Sequence, residues 1–134
     1  MSAVSTYQKS KSVNHVYGGE AFAVPASITF RVWSTLPNAD FTGGVEISAG
    51  GYAPVTLSNN TTNFPHTDTG TKTNGVDIIF CSSATENWPN RPLGFTTEDE
   101  SGNLLDVVSG TGLYYVLTGY GFVVLAGDYT IIRG

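Results

Sequence analysis

Short apolar runs, cut at close intervals by Gly, Asn, Thr and Pro, limit the folds open to this chain more than any other feature. From Gly50 the chain reads Gly50-Gly51-Tyr52-Ala53-Pro54-Val55-Thr56-Leu57, then Asn59-Asn60-Thr61-Thr62-Asn63-Phe64-Pro65, then Lys72-Thr73-Asn74-Gly75. This is turn and strand chemistry with almost no acid-base chemistry, and it predicts an all-β protein.

The strand signals follow closely. Ile28, Phe30 and Val32 alternate with Thr29, Arg31 and Trp33, the pattern of a half-buried strand. Tyr52 to Leu57 reads as a strand interrupted by Pro54, so it belongs at an edge or a bulge. Val76 to Cys81 is a strong strand. Leu93 to Thr97 and Asn103 to Val108 read as a hairpin around Glu98–Gly102. Leu113 to Thr118, Gly121 to Ala126 and Tyr129 to Arg133 complete the set. About seven or eight such strands predict a β-sandwich (jelly-roll-like) or a small barrel. Between them lie a Gly-rich connection over 41–51, a long polar loop over 58–75 and an irregular stretch over 82–91. Loops as long as 58–75 are uncommon in small domains and often make contacts.

Residues 1–19 stand apart as an N-terminal arm, leaving 20–134 as a single β domain. The arm has few apolar residues, with a weak helical spacing of Tyr7 with Lys11 and of Val13 with Val16 and Tyr17. Gly18-Gly19 would end such a helix. With little core of its own to pack on, an ordered arm points to a neighbouring subunit, which makes Tyr7, Val16 and Tyr17 candidate interface residues.

A chain of 134 residues suits one domain that needs no disulfide or metal staple. Only 13% of residues are charged and 12% are aromatic, which argues against disorder and leaves a surface of Ser, Thr, Asn and Gly. Such a surface is weakly protected against association. The net charge is −5 and the six basic residues are scattered, so no stripe exists to neutralise phosphates and no nucleic-acid partner is expected. The run Glu98-Asp99-Glu100, beside Ser101-Gly102, reads as a solvated turn. Cys81 is alone and reads as a packed thiol. Met1 to Tyr17 lacks the apolar core of a secretory signal, and no segment spans a bilayer. The expectation is synthesis in a cytoplasm, with no membrane partner.

No catalytic constellation emerges. The histidines are His15 and His66, and His66-Thr67-Asp68 is the nearest approach to a ligand pair, with no second histidine nearby. No Gly-x-Ser-x-Gly elbow and no phosphate-binding loop is present. The expectation is a non-enzyme with no catalytic residue, metal or cofactor. Trp33, Trp88, Tyr52, Phe64, Tyr114, Tyr115 and Tyr120 could form a sugar-stacking platform, but rings of this kind more often fill a β core. Phe64-Pro65 and Trp88-Pro89 differ in sitting in loops. They read as plugs closing the ends of the sandwich, with a subunit interface close behind, so Phe64, Pro65, Trp88 and Pro89 join the candidate interface set.

Nearly the whole chain resembles a group of small bacteriophage virion proteins of tail-fibre-like type. The resemblance runs through Asn14-His15-Val16, Pro25-Ala26-Ser27-Ile28, Gly50-Gly51-Tyr52-Ala53, Asn59 to Pro65 and Lys72-Thr73-Asn74-Gly75. It continues through Ala84-Thr85, Trp88, Ser101-Gly102-Asn103-Leu104-Leu105 and Ala126-Gly127. Asn87-Trp88-Pro89-Asn90-Arg91-Pro92 and the acidic Glu98-Asp99-Glu100 depart from that pattern and point to a different partner surface. The resemblance implies a non-enzymatic virion component with a β-sandwich-like fold, a helical arm and no catalytic residues.

The sequence itself has no heptads or repeats, hence no fibre shaft. One domain with an arm suits a capsid decoration or cement protein that stabilises the head. The alternatives are a tail-fibre or tail-adaptor subunit and, in another class, a host-glycan-binding module. The expected partners are copies of the same chain, a trimer first, and other virion proteins such as the major capsid protein. The expected location is the virion, after synthesis in a host bacterial cytoplasm.

Overall fold

The structure, a computed structural model, describes residues 2–110 and 113–132. In chain order its elements are β1 (Ser2–Val4), α1 (Thr6–Val16), β2 (Ser27–Thr35), β3 (Val45–Glu46), β4 (Val55–Ser58) and β5 (Thr71–Thr73). There follow β6 (Ile78–Cys81), β7 (Gly94–Glu98), β8 (Leu104–Ser109), β9 (Phe122–Val124) and β10 (Thr130–Ile132). The fold is all-β apart from α1.

The predicted alternation makes β2 the axis. Phe30 and Val32 are fully buried on the core face. On the other face Trp33 donates from Nε1 to Thr96 Oγ1 at 2.8 Å and meets the Phe41 ring edge-on at 6.0 Å. One side of β2 pairs antiparallel with β7, from Thr29↔Glu98 to Trp33↔Gly94. The other side is shared by two short strands, β4 against Ser27–Phe30 and β3 against Trp33–Thr35. Between them the Val32 N–H donates to Tyr52 Oη at 3.0 Å, so a side chain completes the ladder where no strand does. The full sheet has six strands in the order β1-β8-β7-β2-β3, with β4 also on β2.

Two small antiparallel ladders, β5–β10 and β6–β9, form the opposing layer. The core lies between layers and is built of rings. Phe95 and Phe30 meet Tyr129 edge-on at 5.0 and 6.1 Å, and Phe80 meets Phe95 and Phe122 at 6.2 and 5.9 Å. Cys81 is buried in this cluster, as its sequence position suggests.

The β7–β8 hairpin falls where predicted, and several other elements differ. Tyr52 and Pro54 precede β4 rather than lying in it, so the proline's missing donor costs no ladder bond. The loop over 58–75 is shortened by β5, whose Thr-Lys-Thr has no apolar alternation to betray it but gains register with β10 (Lys72↔Ile131). Leu113 to Thr118 forms no strand. Its backbone instead meets the irregular stretch over 84–88, with Trp88 N–H donating to Val116 O at 2.8 Å. Of the strand expected over Tyr129 to Arg133, β10 covers Thr130–Ile132, and Arg133 lies outside the described residues. Glu98 is no solvated turn residue: it closes β7, is buried, and pairs with Arg31. Asp99 does make the turn, accepting from Ser101 N–H at 3.0 Å and Asn103 N–H at 2.9 Å.

The N-terminal segment is tied down at its base. β1 pairs with β8, and Ser5 is buried, donating from Oγ to Leu104 O at 2.5 Å. The same Oγ caps α1 by accepting from Gln8 N–H at 3.0 Å. Residues 2–5 are therefore part of the main sheet, against the expectation that the arm has little of its own domain to pack on. α1 itself buries no residue. Gly18 and Gly19 take positive φ (136° and 72°) and turn the chain back along the helix. Lys11 Nζ then bonds Glu20 Oε1 at 2.6 Å, and Tyr7 packs edge-on against Phe22 at 6.3 Å.

Candidate functional site

The residues singled out from sequence divide by burial. Trp88 is 2% exposed; its ring stacks on Phe122 at 6.0 Å, meets Tyr52 edge-on at 6.0 Å, and its Nε1 donates to Gly50 O at 3.3 Å. Phe64 is 7% exposed and stacks on Phe30 at 6.4 Å. Both rings are buried in the protomer, while Pro65 and Pro89 beside them are exposed. Tyr7 is half-buried under Phe22. Val16 and Tyr17 stand out from the end of α1, Tyr17 at 80% exposed, with Val13 and Val24 exposed as well.

The most extensive exposed apolar surface lies elsewhere. β6 and β9 are apolar on both faces: Ile78 and Phe80 point into the core, while Ile79 and its register partner Val123 point out. Beside them the connection over 113–120 carries Tyr114 (81% exposed), Tyr115, Leu117 and Tyr120, and Leu125 continues the face. Leu113 to Leu117 and Tyr120 to Val123 line a shallow depression of about 370 Å³. Gly121 permits this closeness, since a Cβ there would stand 2.7 Å from Cys81 O. The sequence did flag the three tyrosines, but it assigned them to the core. The available signal was Ile79 and Val123: in a strand with one wet face, both alternating positions should not be apolar. Val76 to Cys81 shows no such alternation.

One charged network, around Arg31, lies apart from this face. Arg31 Nε donates to Glu98 Oε1, Arg31 Nη1 lies 3.3 Å from Glu46 Oε2, and Tyr52 Oη donates to Glu46 at 2.7 Å. Burial pulls the Arg31 guanidinium down, but the hydrogen bonds and charges of Glu98 and Glu46 outweigh it and hold it above its ordinary range. Burial, then the Glu46 hydrogen bond, pushes the Tyr52 phenol well up. This network stitches β2, β3 and β7 together. His66 Nε2 lies 3.6 Å from Asp68 Oδ1 on a fully wet loop. Among the described residues no three His, Cys, Asp or Glu side chains gather as metal ligands, and no helix is long and apolar enough to cross a membrane.

The arrangement thus offers surfaces for binding: an aromatic face on β6–β9, and an apolar edge on α1. No curated protein matches the chain. The profile of the family described as Podophage GP4 fiber I protein gp80 matches residues 3–131, which includes α1 and overlaps every described strand. The chain belongs to the Podophage GP4 fiber I protein gp80 family, a family of phage fibre proteins.

Proposed function

We propose that this chain is a non-enzymatic fibre subunit of a phage virion that works through protein–protein contacts, as a trimer held to neighbouring virion proteins. The observation that carries the reading is the family match over 3–131, joined to a contiguous face of exposed Tyr, Leu, Ile and Val. Faces of that kind on a sparsely charged protein mark interaction sites. The fibre family favours the tail over the head-decoration role that the compact single domain first suggested. Copy number in purified virions, measured by quantitative mass spectrometry against the major capsid protein, tests this. A few copies per particle support a tail fibre; a number comparable to the capsid protein supports decoration of the head.

A second reading, attachment to a host glycan, is favoured by the exposed rings of Tyr114, Tyr115 and Tyr120. Trp88, buried, has no part in it. Glycan-array binding that Tyr120→Ala removes would establish it.

A further inference from the structure

The two uncovered apolar surfaces differ in charge. Residues 1–19 contain Lys9 and Lys11 and no acid, a charge of +2; the rest of the chain holds four of the six basic residues and all eleven acids, a charge of −7, which together give the net −5. Within the arm Lys11 is occupied by Glu20, while Lys9 stands exposed one turn before Val13. Acids rim the aromatic face. Asp77 accepts from Ala126 N–H at 2.8 Å and Asp128 donates its N–H to Leu125 O at 3.0 Å at one end. Glu86 stands at the other, next to Asn87, which accepts from Thr118 N–H at 2.8 Å. All three acids are exposed.

The helix base is anchored by Ser5 and Thr6, the latter donating its N–H to Ala39 O at 3.0 Å, so α1 is presented at a fixed point rather than swinging freely.

From these observations, and resting on the reading of the chain as an assembling virion protein, we propose that α1 of one copy docks on the β6–β9 face of a second copy. Val13, Val16 and Tyr17 enter the depression beside Leu117 and Tyr120, and Lys9 faces the acidic rim. Two different patches meet, so the contact is heterologous. It propagates head to tail and closes as a ring, three copies being the size the sequence reading favours. An exposed aromatic anchor meeting an apolar depression is the usual centre of such an interface.

The test uses the full chain. Light scattering after size exclusion should show a closed oligomer, and Tyr17→Asp and Tyr120→Asp should each weaken it by roughly tenfold or more, with far-UV dichroism unchanged, and with unchanged thermal melting at a dilution where the wild type is also dissociated, because both side chains are exposed in the protomer. Raising salt should weaken it as well. Val16→Cys in one preparation and Leu117→Cys in another, mixed and oxidised, should give a mixed disulfide, buried Cys81 being left in place. A wild-type chain that stays monomeric at the highest attainable concentration overturns the proposal. So does an oligomer that both aspartate changes leave intact, or a cysteine mixture giving only like-with-like disulfides. Quantitation in virions separates the two readings. A chain present in virions but monomeric when purified loses the arm contact and keeps the virion role, whereas a chain absent from virions loses the role whatever its oligomeric state.

Discussion

Segments 84–88 and 113–120 run side by side and meet opposite fates. Ala84 N–H donates to Tyr120 O, Gly119 N–H to Ala84 O and Trp88 N–H to Val116 O, each at 2.8 Å. Yet Ala84 and Trp88 sink into the core, while in the neighbour segment Val116 is buried and Tyr114, Tyr115, Leu117 and Tyr120 stay in solvent. The backbone bonding is shared, so it does not explain the difference. Trp88 has a built site: rings on two sides and Gly50 O for its N–H. The tyrosine segment lies beside the ladder that roofs the core, and none of the other described residues covers its rings. Aromatic content therefore reports the wish to leave water, and position decides whether the same chain or another satisfies it.

The sharpest way to break that comparison is to truncate one ring on each side. Trp88→Ala should cost about 3–5 kcal/mol by the cavity it leaves, whereas Tyr114→Ala should change stability by less than about 0.5 kcal/mol. Denaturant unfolding of both variants measures this, and equal losses would mean the two segments do not differ as described.

Next in size is Asn74, which ties both ladders together. Its Nδ2 donates to Val76 O at 2.9 Å and Leu125 O at 3.0 Å, and its Oδ1 accepts from Tyr129 N–H at 2.9 Å. Asn74→Ala strands buried groups at a cost of about 1–3 kcal/mol. It should also speed amide exchange at Tyr129, because that N–H loses its acceptor; unchanged exchange would argue that the β9–β10 turn is held by other means.

A smaller effect belongs to Ser5, where the anchored base of the arm meets its projecting helix. Ser5→Ala should lower stability by about 1 kcal/mol through the lost cap. It should loosen α1, read by helical dichroism, while leaving the β core intact.

The smallest concerns the Lys11–Glu20 tie. The hydrogen bond and charge of Lys11 hold the Glu20 carboxyl below its usual 4.5. A depressed carboxyl stabilises above its unfolded value and loses that contribution as pH falls through the folded one, so the fold of the chain onto α1 should loosen below about pH 4.5. Both groups are exposed, so added salt should blunt the change. Carboxyl chemical shifts followed across that range, with and without salt, check it.

The strands with one wet face were readable because alternation is a local property. Ile28 to Trp33 and the hairpin around Asp99 needed nothing beyond their own neighbours. β5 was not readable, since Thr71–Thr73 becomes a strand only by meeting β10 from across the chain. Glu98 looked like part of a wet acidic turn until Arg31, 67 residues away in sequence, arrived beside it. The site followed the same divide. Val16 and Tyr17 were legible as uncovered because a helix with few apolar residues cannot bury them, whereas the tyrosine face was not, because burial depends on what lies above a ring.

By itself, then, the sequence determined the all-β class, the turns, the buried thiol and the helical potential of the arm, since each follows from side-chain chemistry over a few residues. Only the tertiary structure decided that β1 joins the main sheet and that Tyr114, Tyr115 and Tyr120 face outward. Each of those outcomes depends on which distant segment occupies the space beside a residue, and hydrophobic attraction, having no direction of its own, leaves that choice to the packing of the whole chain.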